Sequence, residues 1–375
     1  MTIVRNPRPL RQTRRAVVAL GCLAMSLFAP ASGAQQATLP ARMSDAEYWK
    51  LVTDISEPGG YFRITDNYTS NEPEIGRLFS MLRQRGTTGG VYIGVGPEQN
   101  LTYIAAIKPQ MAFVIDIRRQ AVVQHLMYKA IFEMAADRAD FISILFGKPK
   151  PTGISADAPI QTIWDAYVRV RSDSALAARH FESIRTRLVT THGFALDANE
   201  AEQLKSVYWA FFFWGPAITT RGAVGGRGGG NGSTFADLTG YSTDDAGVPR
   251  SFLASTEDYA TVKTLHERNL IVPVSGDFAG PKALRAIGAW VAQHGGTVRA
   301  FYLSNVEQYL FQDGKHQTFY DNAATLPVDS ASVFIRPYAF RRGAVVESLC
   351  PISPFLSSAR AGRVMSNNDA LGCVR

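Results

Sequence analysis

Cysteine is scarce in this chain, with three residues among 375, at positions 22, 350 and 373. So few thiols exclude a disulfide-dense scaffold and a cysteine-built zinc or iron–sulfur centre. The histidines at 125, 180, 192, 266, 294 and 316 show no HxxxH or HExxH spacing, so no metal site is expected. No GxSxG elbow is present, which argues against a serine hydrolase. No apolar run reaches the ~20 residues a helix needs to cross a bilayer. Acids are missing from residues 1–15, which carry Arg5, Arg8, Arg11, Arg14 and Arg15.

That basic start leads into AVVALGCLAMSLFA (16–29), then Pro30 and the small residues ASGA. The layout is that of a secretory signal over residues 1–34, cleaved after Ala34 and directing export to the periplasm. The route is the general secretory one or the twin-arginine one, which Thr13-Arg14-Arg15 resembles. An uncleaved anchor and a lipid anchor at Cys22 are the competing readings. Cleavage removes five arginines, so the net charge falls from +7 to +2 (7 − 5). No basic cluster remains to follow a phosphate backbone, which excludes nucleic acid as a partner. The expected partner is a small molecule, with no stable membrane insertion after cleavage. The two remaining cysteines, Cys350 and Cys373, predict a disulfide in an oxidising compartment. Such a bridge would stabilise the fold by about 3.4 kcal/mol on the chain-entropy account.

The pattern divides the mature chain into five stretches. Residues 35–88 form an N-terminal helical segment with an irregular middle, EPGGYFRITDNYTSN. Residues 89–147 hold two continuous apolar runs, VYIGV and MAFVID, each followed by helical sequence. The second helix has Val123, Leu126, Met127, Ala130, Ile131 and Met134 on one face, opposite Gln124, Lys129, Glu133 and Asp137. Residues 148–262 are a mostly helical insertion with an aromatic run at 208–214 and seven glycines in 222–232. That glycine tract predicts a mobile loop, either a lid over a site or a tolerated surface insertion. Residues 263–340 return to strand–helix alternation through NLIVPVSGD, TVRAFYLS and ASVFIRP, and 341–375 read as a tail stapled by the disulfide. The fold class is therefore α/β, a doubly wound and mainly parallel sheet with a helical insertion.

In such a sheet, ligands sit outside the carboxyl ends of the strands. The first strand ends at Gly94 and Gly96, where a missing Cβ lets backbone approach a ligand. The second ends at Asp116, 22 residues after Gly94 (116 − 94) and close to the ~20-residue interval of a ribose-binding acid. The third offers Asp277, placed to accept an adenine amino group, and the fourth Ser304, Asn305 and Glu307. Ser70, Asn71 and Glu72 are candidates to lie across the mouth of the pocket, or to cap a helix. His125 reads as a satisfied core histidine.

The turn GVGPEQN with DIRR, GDFAGPKA and SNVEQYL resembles the S-adenosylmethionine-dependent methyltransferase fold, and more closely an uncharacterised bacterial family with that layout. The resemblance implies S-adenosylmethionine as cofactor, bound by Gly94, Gly96, Glu98, Asp116 and Asp277, with Glu98 suited to a sulfonium or amino group. It implies Glu72, Asn305 or Glu307 as catalytic candidates and Asn71 and Ser304 as substrate contacts. Tyr92 stands where such turns carry an acid, and Gln99 where a dinucleotide fingerprint needs its third glycine, which argues against NAD. The expectation is a protein that binds S-adenosylmethionine or a related nucleoside and transfers a methyl group. The competing one is an exported, non-catalytic small-molecule-binding protein that keeps the cleft without the chemistry.

Overall fold

The computed structural model of the protein describes residues 38–64, 66–223, 233–336 and 348–374. The expected signal, nearly all of the glycine tract and residues 337–347 lie outside the described residues.

The first two helices among the described residues are α1 (Asp45–Ile55) and α2 (Ile75–Gln84). The first begins in a capping box, in which Ser44 and Glu47 satisfy each other's backbone N–H. The alternation follows: β1 (Val91–Gly94), α3 (Gln99–Ile107), β2 (Met111–Asp116), α4 (Arg119–Met134) and α5 (Arg138–Phe146). The insertion contributes α6 (Ile160–Val168), α7 (Ser174–Thr186), α8 (Ala198–Trp214) and a two-residue hairpin, β3 (Ile218–Thr219) with β4 (Gly222–Ala223). Then come α9 (Thr256–Glu267), β5 (Ile271–Ser275), α10 (Ala283–Gln293), β6 (Val298–Tyr302), α11 (Val306–Gln312), α12 (His316–Ala323) and β7 (Val333–Ile335). The chain closes with β8 (Leu349–Pro351), α13 (Ile352–Arg360) and α14 (Asn367–Leu371).

Six strands form one sheet in the order β5-β2-β1-β6-β7-β8, parallel throughout except for β8. Strands β1, β2 and β5 are buried along their whole length, which is why their sequences are continuously apolar rather than alternating. The chain runs from β1 towards one edge through β2 and β5, then returns to the other side through β6 and β7. The direction therefore reverses between β1 and β6, and a crevice opens at their carboxyl ends. This is a Rossmann-like α/β arrangement with a mixed sheet.

Two expectations need correcting. The polar face of α4 does not meet solvent: every residue from Ala121 to Phe132 is buried, because α8 of the insertion packs over it. Its polar groups are satisfied inside, Gln124 donating to the Tyr68 carbonyl at 2.7 Å and Lys129 to Glu133 at 2.6 Å and to the His266 carbonyl at 2.7 Å. The C-terminal stretch is also more than a stapled tail. Cys350 lies in β8, which pairs antiparallel with β7 and completes the sheet, and its disulfide to Cys373 anchors α13 and α14 beside that edge.

Candidate functional site

A cleft of about 200 Å³ lies at the carboxyl edge of the sheet. Its floor is built from strand ends: Val95, Gly96 and Pro97 after β1, Asp116 to Arg118 after β2, Gly276 to Phe278 after β5, and Ser304 and Asn305 after β6. The facing wall is the irregular segment between α1 and α2, which runs over the strand ends as a strap. Along it, the Glu57 N–H donates to the Ser275 carbonyl at 2.7 Å and the Gly60 N–H to the Ile117 carbonyl at 2.8 Å. A Cβ on Gly60 would come within 2.7 Å of Ile117 Cγ1, so glycine is what lets the strap lie this close. The Glu57 carboxylate accepts the N–H groups of Lys282 and Ala283, both at 2.8 Å, and so caps α10. Further along, Phe62 meets Tyr309 edge-on at 4.9 Å and Arg63 lies over the same ring at 4.5 Å. Tyr61 also lines the cleft, 82% exposed.

The two glycines of the turn have different roles. Gly96 has φ +80° and lines the cleft, and a Cβ there would meet nothing closer than 3.8 Å. Backbone conformation, not space, requires glycine at that point. Gly94 is not at the cleft: a Cβ on it would collide with Asn100 Oδ1 and with the Tyr92 hydroxyl, which donates to Asn100 at 2.8 Å. Asn100 in turn donates to the carbonyls of Val95, Gly96 and Pro97 at 2.7–3.1 Å, and His125 Nε2 meets the Gly96 carbonyl at 2.9 Å. The turn is thus held from beneath by an amide and an imidazole. Burial pushes the His125 pKa down, which fits a neutral ring donating through Nε2, and its buried Nδ1 has no partner among the described residues.

The acids also separate. Glu98 points away from the cleft and is buried; both its oxygens accept the Ser70 N–H, at 3.0 and 3.2 Å. It latches the strap and is not placed to face a sulfonium. Burial raises its pKa to about 7. Asp116 lines the cleft, but Arg118 occupies it: Oδ1 accepts the Arg118 backbone N–H at 2.9 Å and Nε at 3.1 Å, and Oδ2 accepts the other guanidinium nitrogen at 2.8 Å. With two lone pairs per oxygen, only Oδ2 keeps capacity for a ligand. Asp277 is more open, with Oδ1 accepting the Ala279 N–H at 2.9 Å and Oδ2 lying 3.5 Å from Lys315 Nζ. Glu307 is not at the cleft at all. It is buried and forked with Arg336 at 2.6 and 3.0 Å, and accepts from Tyr320 at 2.9 Å.

Glu72 is the acid that remains incompletely bonded. It is buried behind the cleft wall, and Oε1 accepts the hydroxyls of Tyr302 at 2.6 Å and Ser304 at 2.7 Å. Oε2 is buried with no partner among the described residues. Burial raises its pKa above the usual carboxylate range, against the opposing effect of the two hydroxyls. Gln99 completes the cluster by donating to the Tyr302 hydroxyl at 2.5 Å, and its buried Oε1 beside the cleft has no partner among the described residues. Asn71, Ser304 and Asn305 line the cleft, and the side-chain amides of Asn71, Asn305 and Asn67 make no hydrogen bond among the described residues. Sequence reading missed Tyr61, Asn67, Gln99 and Arg118 as lining groups. The aromatic run of α8 splits, with Tyr208 and Phe211 in the core and Phe213 73% exposed.

Three acids (Asp116, Asp277, Asp313) and two bases (Arg118, Lys315) line the cleft, and both bases are already paired or near an acid. Such a lining favours a neutral or cationic guest over a phosphate. Among the described residues, no group of three or more histidines, cysteines or acids is arranged to hold a metal ion, and no helix is long and apolar enough to cross a membrane.

The chain belongs to the family described as a domain of unknown function (DUF7790), whose model matches residues 68–191 and 238–351. The matched stretches contain Ser70 to Glu72 and all four strand ends of the cleft floor, whereas Tyr61, Phe62 and Asn67 precede them. No curated protein matches the chain.

Proposed function

We propose that this protein binds a small nucleoside-type ligand, S-adenosylmethionine foremost, in the cleft at the β1/β6 reversal. The observation that carries the reading is the meeting of Gly96, Asp116, Asp277 and Asn305 around one cleft at the carboxyl edge of the sheet. The residues fit such a guest in part. The open space above Gly96, the unpartnered Gln99 Oε1, the free capacity of Asp116 Oδ2 and the Asp277 carboxylate beside Phe278 are the groups that would hold it. Gly94 and Glu98 take no part. Bound S-adenosylmethionine would supply an already activated methyl group. The chain's contribution to transfer is then to orient the acceptor through Asn71, Ser304 and Asn305 and to exclude water under the strap. The excess of one acid over the bases suits a cationic sulfonium.

A second reading is an exported small-molecule-binding protein without catalysis, and the Asp116–Arg118 pair favours it. An acid already held by two guanidinium nitrogens and a backbone N–H is a poorer clasp for two ribose hydroxyls than a free one. Titration calorimetry of the purified protein with S-adenosylmethionine, S-adenosylhomocysteine and adenosine separates the readings. Tighter binding of the first two than of adenosine supports the methyltransferase-type site. Heat from adenosine alone supports the second reading, and no heat from any of the three sinks the nucleoside assignment.

A further inference from the structure

Ser304 occupies an unusual position for a serine. It follows β6 by two residues, precedes α11 by two, and has φ +48°, a left-handed conformation that serine seldom adopts. A strand that ends in one strained residue and turns at once into a helix pushes that residue's side chain out at the sheet's carboxyl edge. The same device presents the nucleophile in enzymes with a GxSxG elbow. Here the sequence is Leu303-Ser304-Asn305, so the motif is absent and only the geometry discloses it. The Ser304 hydroxyl lines the cleft and donates to Glu72 Oε1 at 2.7 Å. Tyr302, one turn of pleat back, fixes the same oxygen at 2.6 Å, and Gln99 fixes Tyr302. Strain of this kind persists only where the surroundings over-determine it, and it concentrates at working sites.

We infer that Ser304 is a nucleophile and that Glu72 is the base that takes its proton, so that the cleft can cleave a carboxylic ester or a related acyl compound by way of a Ser304 acyl intermediate. The inference does not rest on nucleoside binding. In the first step, Ser304 Oγ forms a bond to the acyl carbon as its proton passes to Glu72 Oε1. The carbonyl π electrons move to oxygen and then return, the bond from the acyl carbon to the leaving oxygen breaks, and Glu72 gives the proton to the departing alkoxide. Water repeats the sequence on the acyl-serine: its proton goes to Glu72, its oxygen bonds the acyl carbon, and Ser304 leaves with the proton. The sum is ester plus water giving acid plus alcohol, with no oxidant, metal or cofactor consumed. The unpaired amides of Asn71 and Asn305 lie in the same cleft and supply neutral N–H donors for the oxygen that becomes negative. Among the described residues, Glu72 faces no cation. Removal from water therefore makes its carboxylate a stronger proton acceptor than an exposed glutamate, in line with its raised pKa.

The test is covalent labelling of the full chain with an alkyl fluorophosphonate, followed by intact mass and peptide mapping. The expected result is one adduct, with loss of fluoride, located on Ser304 and absent in Ser304→Ala. Glu72→Gln should slow labelling by tenfold or more while keeping an oxygen for Tyr302. In the wild type, the labelling rate should rise through a single titration displaced above the ordinary glutamate range and then level off. An uncatalysed hydroxyl would instead speed up continuously with pH. No adduct, an adduct elsewhere, or a rate without that plateau overturns the inference, and the wild-type pH profile decides the matter even if Glu72→Gln fails to fold. The probe contains no nucleoside, so its outcome is read independently of the calorimetry.

Discussion

Two buried glutamates a short distance from the strand ends make an instructive pair. Glu307, beside β7, meets Arg336 through two hydrogen bonds and Tyr320 through a third, so both its oxygens are satisfied. Among the described residues, Glu72, under the strap, meets only two hydroxyls on one oxygen and leaves the other bare. Sequence position alone made both candidates for chemistry. What separates them is partners: a carboxylate closed by an arginine is architecture, while one buried without a cation keeps the capacity to take up a proton. Asp116, closed by Arg118, sides with Glu307, and Glu98, held by hydrogen bonds from Ser70 and Thr69 with no cation among the described residues beside it, sides with Glu72.

The largest effect should come from opening the closed pair. Glu307→Ala leaves the fully buried Arg336 guanidinium without its counter-charge and should cost about 3–5 kcal/mol of stability in a denaturant melt. A loss under about 1 kcal/mol would erase the distinction drawn here.

Next comes Glu98. Its folded pKa, about 7, exceeds the ordinary value of 4.5, so between those values the folded protein holds a proton that the unfolded chain has released. Its contribution is fully present below about pH 4.5 and is lost as pH rises through 7. The difference amounts to about 3 kcal/mol for a group wholly out of water. Wild type should therefore lose stability relative to Glu98→Gln between pH 5 and 8, and parallel pH profiles of the two would refute this account of the strap latch.

Asp116→Ala should lower stability by about 1–3 kcal/mol, since Arg118 loses its partner and its backbone N–H loses an acceptor. Affinity for a bound nucleoside should also fall, by about tenfold for one lost charge-assisted hydrogen bond. An unchanged ligand-induced shift in melting temperature would leave Asp116 with the architectural role alone. The smallest effect is expected from Glu72→Gln. The amide oxygen still accepts from Tyr302 and Ser304 and no charge is buried, so stability should stay within about 1 kcal/mol of wild type and be higher at pH 8 than at pH 5 in relative terms. A loss as large as that of Glu307→Ala would place Glu72 among the closed acids.

The sequence discloses the sheet better than the cleft. MAFVID occupies all of β2 because a strand buried on both faces must be continuously apolar, and that signal is local. The strap has no such signal. EPGGYFRITDNYTSN lacks period, and its conformation is set by contacts with residues far along the chain, from Ile117 to Gln312. Spacing placed Asp116 and Asp277 at the cleft but could not reveal that Arg118 would fold back onto Asp116, since two residues' separation says nothing of rotamers. Glu98 caps the start of α3 and Glu307 lies in the first turn of α11, and both side chains turn away from the cleft, a direction that a one-dimensional pattern does not carry. β8 escaped notice because three residues, the last of them a proline, look like loop until β7 offers a partner.

The strap has a consequence for the order in which the molecule assembles. Its anchors are remote in the chain: Glu57 bonds a residue 226 positions away and Glu72 one 230 positions away. Closing loops of that length is entropically costly and rewarded only once the far strands exist, so the strap settles after β5 and β6 have joined the sheet. Until then the strand ends stand uncovered.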